Sequence, residues 1–373
     1  MEYRNLGKTS LKAGVIGLGT EYLLGQSQET VVSVVQRAIK YGVNYIDMVW
    51  NISTYLDNLS VALQDQREKV ILVGHIGSGE KNGKYRKTRK PKECEEIIFG
   101  TLSKLNTDHI DIANVHYVKS EKEYGEIIAA GIVDLALQLK ENGNARFVGI
   151  STHDPAVAVK AAQSGNFDMI MIQINIANNA MPGRNEMLRI CAKEGVGVVA
   201  MKPFAGGKLL RKNRTVNIAA YQTGGKSLKK KIPKLISPVQ CISYILSQVG
   251  VSTTVPGVKN VAELDETLGF LNATEEEKDF SALLTDFQEY VTGECVYCNH
   301  CLPCPVDIDI GYTNRLFDIA QQGLTEAIKR EYSTLPVKAS TCTQCGACMK
   351  RCPFEVDVIS KMNQVAILFE KTS

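Results

Sequence analysis

Along the first 290 residues the apolar positions fall into two alternating rhythms. Short runs of consecutive apolar residues predict buried strands near Val15–Leu18 and at Tyr45–Asp47, Val70–His75, Ile110–His116, Phe147–Ser151, Met169–Ile174, Val196–Met201 and Thr253–Pro256. Between them, apolar positions at helical spacing predict helices over Thr30–Lys40, Cys94–Leu105, Ile127–Glu141, Ala156–Gln163, Glu186–Lys193, Val239–Ser247 and Val261–Leu271. Eight strands alternating with helices predict an α/β chain whose residues 1–272 form a (β/α)8 barrel. A doubly wound open sheet is the alternative, but no Gly-x-Gly-x-x-Gly opens the first helix. Residues 273–291 read as a connecting helix over Ala273–Tyr290, with Thr274 as N-cap and Glu277 closing a capping box. Residues 292–373 lose the strand–helix rhythm and read as a small helix-and-loop domain. It has one helix over Thr313–Gln322, stopped by Gly323.

Cysteine placement explains that change. Of eleven cysteines, Cys94, Cys191 and Cys241 are scattered, and the other eight crowd into 295–352. The first run is Cys295-x2-Cys298-x2-Cys301-x2-Cys304-Pro305, the second Cys342-x2-Cys345-x2-Cys348-x3-Cys352-Pro353. The second run matches the bacterial ferredoxin spacing, in which three close cysteines hold one [4Fe–4S] cluster and the fourth ligates the other. Two-residue gaps let a tight loop wrap three thiolates around one cluster face, and proline after the remote cysteine prevents a continuing helix. Crossed ligation is therefore expected: Cys295, Cys298, Cys301 and Cys352 around one cluster, Cys342, Cys345, Cys348 and Cys304 around the other. Four consecutive cysteines per cluster is the local alternative, and two zinc sites are the other. Structural zinc favours well-separated Cys-x2-Cys pairs. His300, inside the first run, reads as a loop residue. The opening Met1-Glu2-Tyr3-Arg4 is not the apolar leader of an exported chain, so a reducing, cytoplasmic setting with metal-bound thiols is expected.

Net charge is +3 with 22% charged residues, which argues against a general nucleic-acid binder, and no apolar run is long enough to cross a membrane. Two basic segments stand out, Lys81–Lys92 and Gly224–Lys234. Both read as solvated loops over the barrel mouth, weakly favouring an anionic small-molecule substrate. The second could dock an acidic electron carrier of the ferredoxin or flavodoxin type.

In such barrels chemistry sits at the C-terminal ends of the strands. Those ends carry Asp47, His75, His116, Ser151 with Thr152 and His153, Gln173 with Asn175, Met201 with Lys202, and Pro256 with Gly257. A carboxylate beside an imidazole stabilises the imidazolium, and such a histidine serves as general acid or base near neutral pH. Asp47 with His75 is thus a candidate dyad and His116 a second donor; hydrogen-bonded relics without a catalytic role are the alternative. Trp50 and Asn51 follow Asp47 as candidate pocket residues.

The opening MEYRNLGKTSLKAGVIGLGTE, with NYID (44–47), TDHIDIANVH (107–116), ENGNARFVGIS (141–151), VVAMKPFAGG (198–207) and TVPGVKN (254–260), resembles the aldo-keto reductases, and the cysteine runs resemble the iron–sulfur branch of that family. The resemblance implies a barrel where substrate and nicotinamide meet at the strand ends, and a catalytic Asp, Tyr, Lys and His. Asp47 and His116 fill the first and last positions. Ile52 stands at the tyrosine position and His75 at the lysine position, with Tyr55 three residues beyond as a substitute acid. The resemblance also implies nicotinamide contacts from Ser151, Gln173 and Asn175, and an NADP(H) phosphate site at Gly257, Lys259 and Asn260. Lys202 and Gly206 lie on the loop after strand seven, whose family aromatic is missing; a flavin phosphate could use the same loops. The expected activity is that of an oxidoreductase moving electrons between two [4Fe–4S] clusters and a substrate or nucleotide in the barrel. The alternatives are an electron-transfer partner protein with a non-catalytic barrel, and a non-redox lyase or isomerase using Asp47–His75.

Overall fold

The computed structural model describes residues 1–210, 236–284, 295, 297, 299, 301–321, 324–352 and 355–370, with 214–219 and 227–232 as backbone. The chain divides into two compact units: Met1–Phe204 with Ile236–Gln288, and Ala205–Leu235 with Glu289–Ser373.

In the first unit a hairpin of β1 (Tyr3–Asn5) and β2 (Lys12–Gly14) precedes three barrel strands, β3 (Leu18–Gly19), β4 (Tyr45–Met48) and β5 (Ile71–Ile76). An inserted hairpin follows, β6 (Ser78–Lys81) and β7 (Lys84–Lys87). The barrel continues through β8 (Ile110–Val118), β9 (Ala145–Thr152), β10 (Met169–Gln173) and β11 (Gly197–Met201). The hairpin of β12 (Arg214–Ala219) and β13 (Ser227–Ile232) belongs to the second unit, and β14 (Val251–Val255) is the last barrel strand.

The eight barrel strands pair in parallel in chain order, and parallel bridges Ile16–Thr254 and Gly19–Gly257 close the ring. The strands read as continuous apolar runs because both faces are covered: every residue of β5 and β8 is buried. Leu6, Leu11, Tyr45, Val73, Ile112, Met171 and Val199 share one interior core. A Cβ on Gly7, whose φ is +57°, would come within 2.3 Å of the Gly197 amide nitrogen, so only glycine lets the N-terminal turn pack there.

The helices of this unit are α1 (Gln28–Lys40), α2 (Ser53–Leu63), α3 (Pro91–Lys104), α4 (Glu121–Ala129), α5 (Ile132–Glu141), α6 (Pro155–Ser164), α7 (Arg184–Glu194), α8 (Pro238–Leu246) and α9 (Val261–Leu268). The helix expected over Ile127–Glu141 is two helices, because Gly131 takes a left-handed φ of 77° and starts α5 afresh. The connecting helix is likewise two short pieces, α10 (Glu275–Lys278) and α11 (Ser281–Leu284). The Thr274–Glu277 capping box is present, but Asp279 turns extended and its carboxylate accepts the Ser281 amide, stopping one helix and starting the next. Residues 285–290 lie outside the described residues. Both basic segments differ from the expected loops. Within Lys81–Lys92 the chain forms β7, turned by Asn82 and Gly83 at positive φ, and within Gly224–Lys234 it forms β13.

The second unit contains α12 (Ile310–Ala320), α13 (Glu326–Ser333), α14 (Ala347–Arg351) and α15 (Val358–Glu370). Asp309 caps α12 three residues earlier than expected, by accepting the Tyr312 amide; Gly323, its expected stop, lies outside the described residues. Its core mixes Ile308, Leu316, Phe317, Tyr332, Val358 and Met362 with Cys295, Cys301, Cys348 and Cys352. Among the described residues no helix is long and apolar enough to cross a membrane.

Candidate functional site

The C-terminal ends of β4, β5 and β8 bring Asp47, His75 and His116 together, all at most 7% exposed. His75 Nε2 lies 2.8 Å from Asp47 Oδ1, and His75 Nδ1 lies 3.0 Å from His116 Nδ1. Tyr85, on the inserted hairpin, places its hydroxyl 2.9 Å from His116 Nε2 and its ring edge-on to Trp50. The hairpin is fixed to the barrel by Ser78 Oγ donating to the Val49 carbonyl, Glu80 accepting the Ser53 amide, and Arg89 donating to the carbonyls of His116 and Tyr117. Asn51 clamps the same region, donating to the carbonyls of His75 and Ser78 and accepting from Thr101.

Burial holds His116 well below the usual imidazole range, helped by nearby His75, Lys87, Arg89 and Lys202. Burial also holds His153 well below it, with Lys202 adding to the effect. Both rings are neutral at pH 7. On unfolding each takes up a proton below pH ~6.5 that the folded chain refuses, so stability should fall as pH drops from 7 towards 5, by up to ~1.4 kcal/mol per pH unit for each ring. Glu21, raised by its own burial, acts in the opposite sense. Urea unfolding at pH 5 and 7 checks this: His153→Asn should flatten the slope, and an unchanged slope would contradict the assignment.

Ile52 is buried at the N-cap of α2. Tyr55 does not replace the missing acid as placed: its hydroxyl is bound to Thr20 Oγ1 in the core, and burial raises its pKa. Four of the seven cations of the Lys81–Lys92 segment are paired with carboxylates, Lys87 and Arg89 with Glu123, Arg86 and Lys90 with Glu93. That pairing weakens the case for an anionic substrate held by this segment. Lys87, buried beside Arg89, is lowered to about 8.

The residues expected to contact nicotinamide divide. Gln173 is buried at the end of β10, and its Oε1 has no hydrogen-bond partner among the described residues, as an acceptor awaiting a ligand amide would. Ser151 Oγ accepts the Tyr117 amide at 2.7 Å. Asn175 is committed to structure, its amide donating to the Lys202 carbonyl and its oxygen accepting the Asn178 amide. Lys202, at φ +57°, lies 3.4 Å from Glu21. After β14, a Cβ on Gly257 would strike the Tyr22 ring at 2.7 Å, Asn260 caps α9, and Glu263 accepts the Lys259 amide. Gly206 falls in the second unit.

In that second unit Cys304, Cys342, Cys345 and Cys348 line one small pocket with Val306, Ile308 and Met362. They are the four cysteines that crossed ligation groups together. Among the described residues no three potential ligands converge on a single ion; the thiols line a common cavity instead. Burial raises the Cys348 and Cys295 thiols, so their thiolates need a cationic partner, while backbone amide donation lowers Cys345. Cys301 and Cys352 are buried in the same unit, and Arg351 donates to the Cys301 carbonyl. Cys298, His300 and Pro353 lie outside the described residues.

Sequence reasoning placed Tyr85 only within a basic loop and missed its part in the site. The Asn82-Gly83 pair between alternating residues was a hairpin signal that could have found it.

A profile of the Aldo/keto reductase family matches residues 11–285. The chain is 26% identical to an uncharacterized oxidoreductase of Bacillus subtilis over 74% of its length and 94% of the relative's. It is 24% identical to L-galactose dehydrogenase of Arabidopsis thaliana, covering 74% and 89%. Among solved structures, the holo form of an aldo-keto reductase from Bacillus halodurans shares the barrel with a TM-score of 0.61 at 22% identity, covering 74% of this chain and 94% of that one.

Proposed function

The chain belongs to the aldo/keto reductase family and is an oxidoreductase; we propose that it moves electrons between two [4Fe–4S] clusters in its C-terminal segment and a small-molecule substrate or nicotinamide nucleotide in the barrel. The reading divides the chain into a barrel (1–272), a connecting segment (273–291) and a ferredoxin-like domain (292–373), and places it in the cytoplasm. The observation that carries it is the cavity lined by Cys304 together with Cys342, Cys345 and Cys348, which supports crossed ligation. Cys295, Cys298, Cys301 and Cys352 would hold the second cluster. Such clusters accept and release single electrons when bound; the chain supplies the thiolates, an apolar wrapping, and Asn314, whose amide donates to Cys295 Sγ at 3.5 Å.

In the barrel, Gln173 would accept from the nicotinamide carboxamide, and Gly257, Lys259 and Asn260 would border the phosphate at the start of α9. With Ile52 in place of the family tyrosine, acid–base work falls to the histidines held by Asp47. Anaerobic titration of the purified chain with NADPH tests the reading. Nucleotide binding and reduction of the clusters, seen by electron paramagnetic resonance, are expected; absence of both, with tightly held flavin, would overturn the nucleotide part. Gln173→Leu should weaken NADPH binding about tenfold, the loss of one buried hydrogen bond, as read by calorimetry. Lys259→Ala should weaken it by less, because that side chain is only half-buried.

A further inference from the structure

We propose that Tyr85 is the terminal acid–base group of the barrel site, joined through His116 and His75 to Asp47 as a four-group proton relay. Each hydrogen bond fixes the next. Asp47 as a carboxylate only accepts, so His75 Nε2 carries a proton and donates to it across 2.8 Å. The relay assigns His75 one proton, at Nε2, which leaves its Nδ1 to accept from His116 Nδ1 across 3.0 Å. That leaves His116 Nε2 bare, and the Tyr85 hydroxyl donates to it across 2.9 Å. The Asn114 amide lies 3.3 Å from His75 Nε2, with its own Oδ1 buried and unpartnered. Turning that amide end for end gives its oxygen to the same proton.

The depressed pKa of His116 agrees with a neutral ring at rest. In this state every proton points towards Asp47, and the Tyr85 oxygen keeps a lone pair. Tyr85 is half-buried where the other three are buried, so it is the end that can meet a substrate. The resting relay therefore takes a proton from a bound hydroxyl. The substrate O–H proton passes to the Tyr85 oxygen, the Tyr85 proton to His116 Nε2, the His116 Nδ1 proton to His75 Nδ1, and the His75 Nε2 proton to Asp47. The electron pair of the carbinol C–H bond leaves as hydride to oxidised nicotinamide, and C=O forms; this step rests on the nucleotide reading above. With one more proton each bond reverses, and the same four groups protonate a carbonyl oxygen during reduction.

The test uses the full chain labelled with ¹⁵N-histidine, whose five histidines keep the nuclear magnetic resonance spectrum simple. At pH 7.5, His75 should be protonated at Nε2 and His116 at Nδ1. Tyr85→Phe should shift the His116 Nε2 resonance, and Tyr55→Phe should leave it in place. A proton on His116 Nε2, or a His116 ring indifferent to Tyr85→Phe, would overturn the relay whether or not any substrate is known. Short secondary alcohols with NADP⁺ are the kinetic probes, and for any that is turned over Tyr85→Phe should lower kcat on the order of 10²-fold with nucleotide affinity unchanged; an unchanged kcat would overturn Tyr85 as the acid–base group. Failure to bind NADP⁺ alongside the expected tautomers would support the relay and sink only the nucleotide reading.

Discussion

Cys304→Ala should cost the protein about half of its iron, from about eight atoms to about four, and the cluster lost should be the one held by Cys342, Cys345 and Cys348. The reason is the cavity that gathers those four cysteines from two runs nearly forty residues apart. Crossed ligation makes Cys304→Ala and Cys342→Ala equivalent: the same iron content, the same remaining cluster spectrum, and no further loss when combined. Ligation by consecutive cysteines makes them complementary, each variant keeping the cluster the other loses, and the double variant keeping neither. Iron and sulfide analysis with low-temperature electron paramagnetic resonance separates the two cases. A destabilised C-terminal unit should accompany the loss, because cysteines of both runs sit in one apolar core with Leu316, Phe317 and Met362.

His75→Ala should lower kcat/KM on the order of 10²-fold or more for whatever substrate the chain turns over, typical of removing a positioned acid or base. The geometry makes the loss larger than one contact, since His75 is the link between Asp47 and His116. Once His75 is gone, Asp47→Asn should cost little more, because the two act as a unit. Additive losses would show that Asp47 works through a different partner. Ile52 has no proton to give, so any carbonyl reduction by the wild type should depend on Tyr85 and His75 rather than on position 52.

The parts of the fold that rest on burial were readable from the chain. Strands such as Ile71–Ile76 and Ile110–Val118 are apolar throughout because the barrel buries both faces, so their existence and order stood out while their ends moved by one or two residues. Misreadings came where one residue breaks a rhythm: Gly131 splits a helix that periodicity ran together, and Asp279 splits another through its own side chain. The Lys81–Lys92 segment misled because charge suggested a solvated loop, whereas it pairs as a hairpin and its Lys87 and Arg89 are tied to Glu123 and to backbone carbonyls. Asp47, His75 and His116 were legible because strand ends converge in a barrel whatever lies between them. Tyr85 was not, since an inserted hairpin has no place in the barrel's rhythm. Asn175 shows the converse: a polar residue at the right strand end that the structure commits to capping the next turn.

The central claim, a two-cluster domain carried by an aldo/keto reductase barrel, is tested most directly by metal analysis of the anaerobically purified chain. About eight irons with matching acid-labile sulfide per molecule are expected. Stoichiometric zinc with little iron would contradict it.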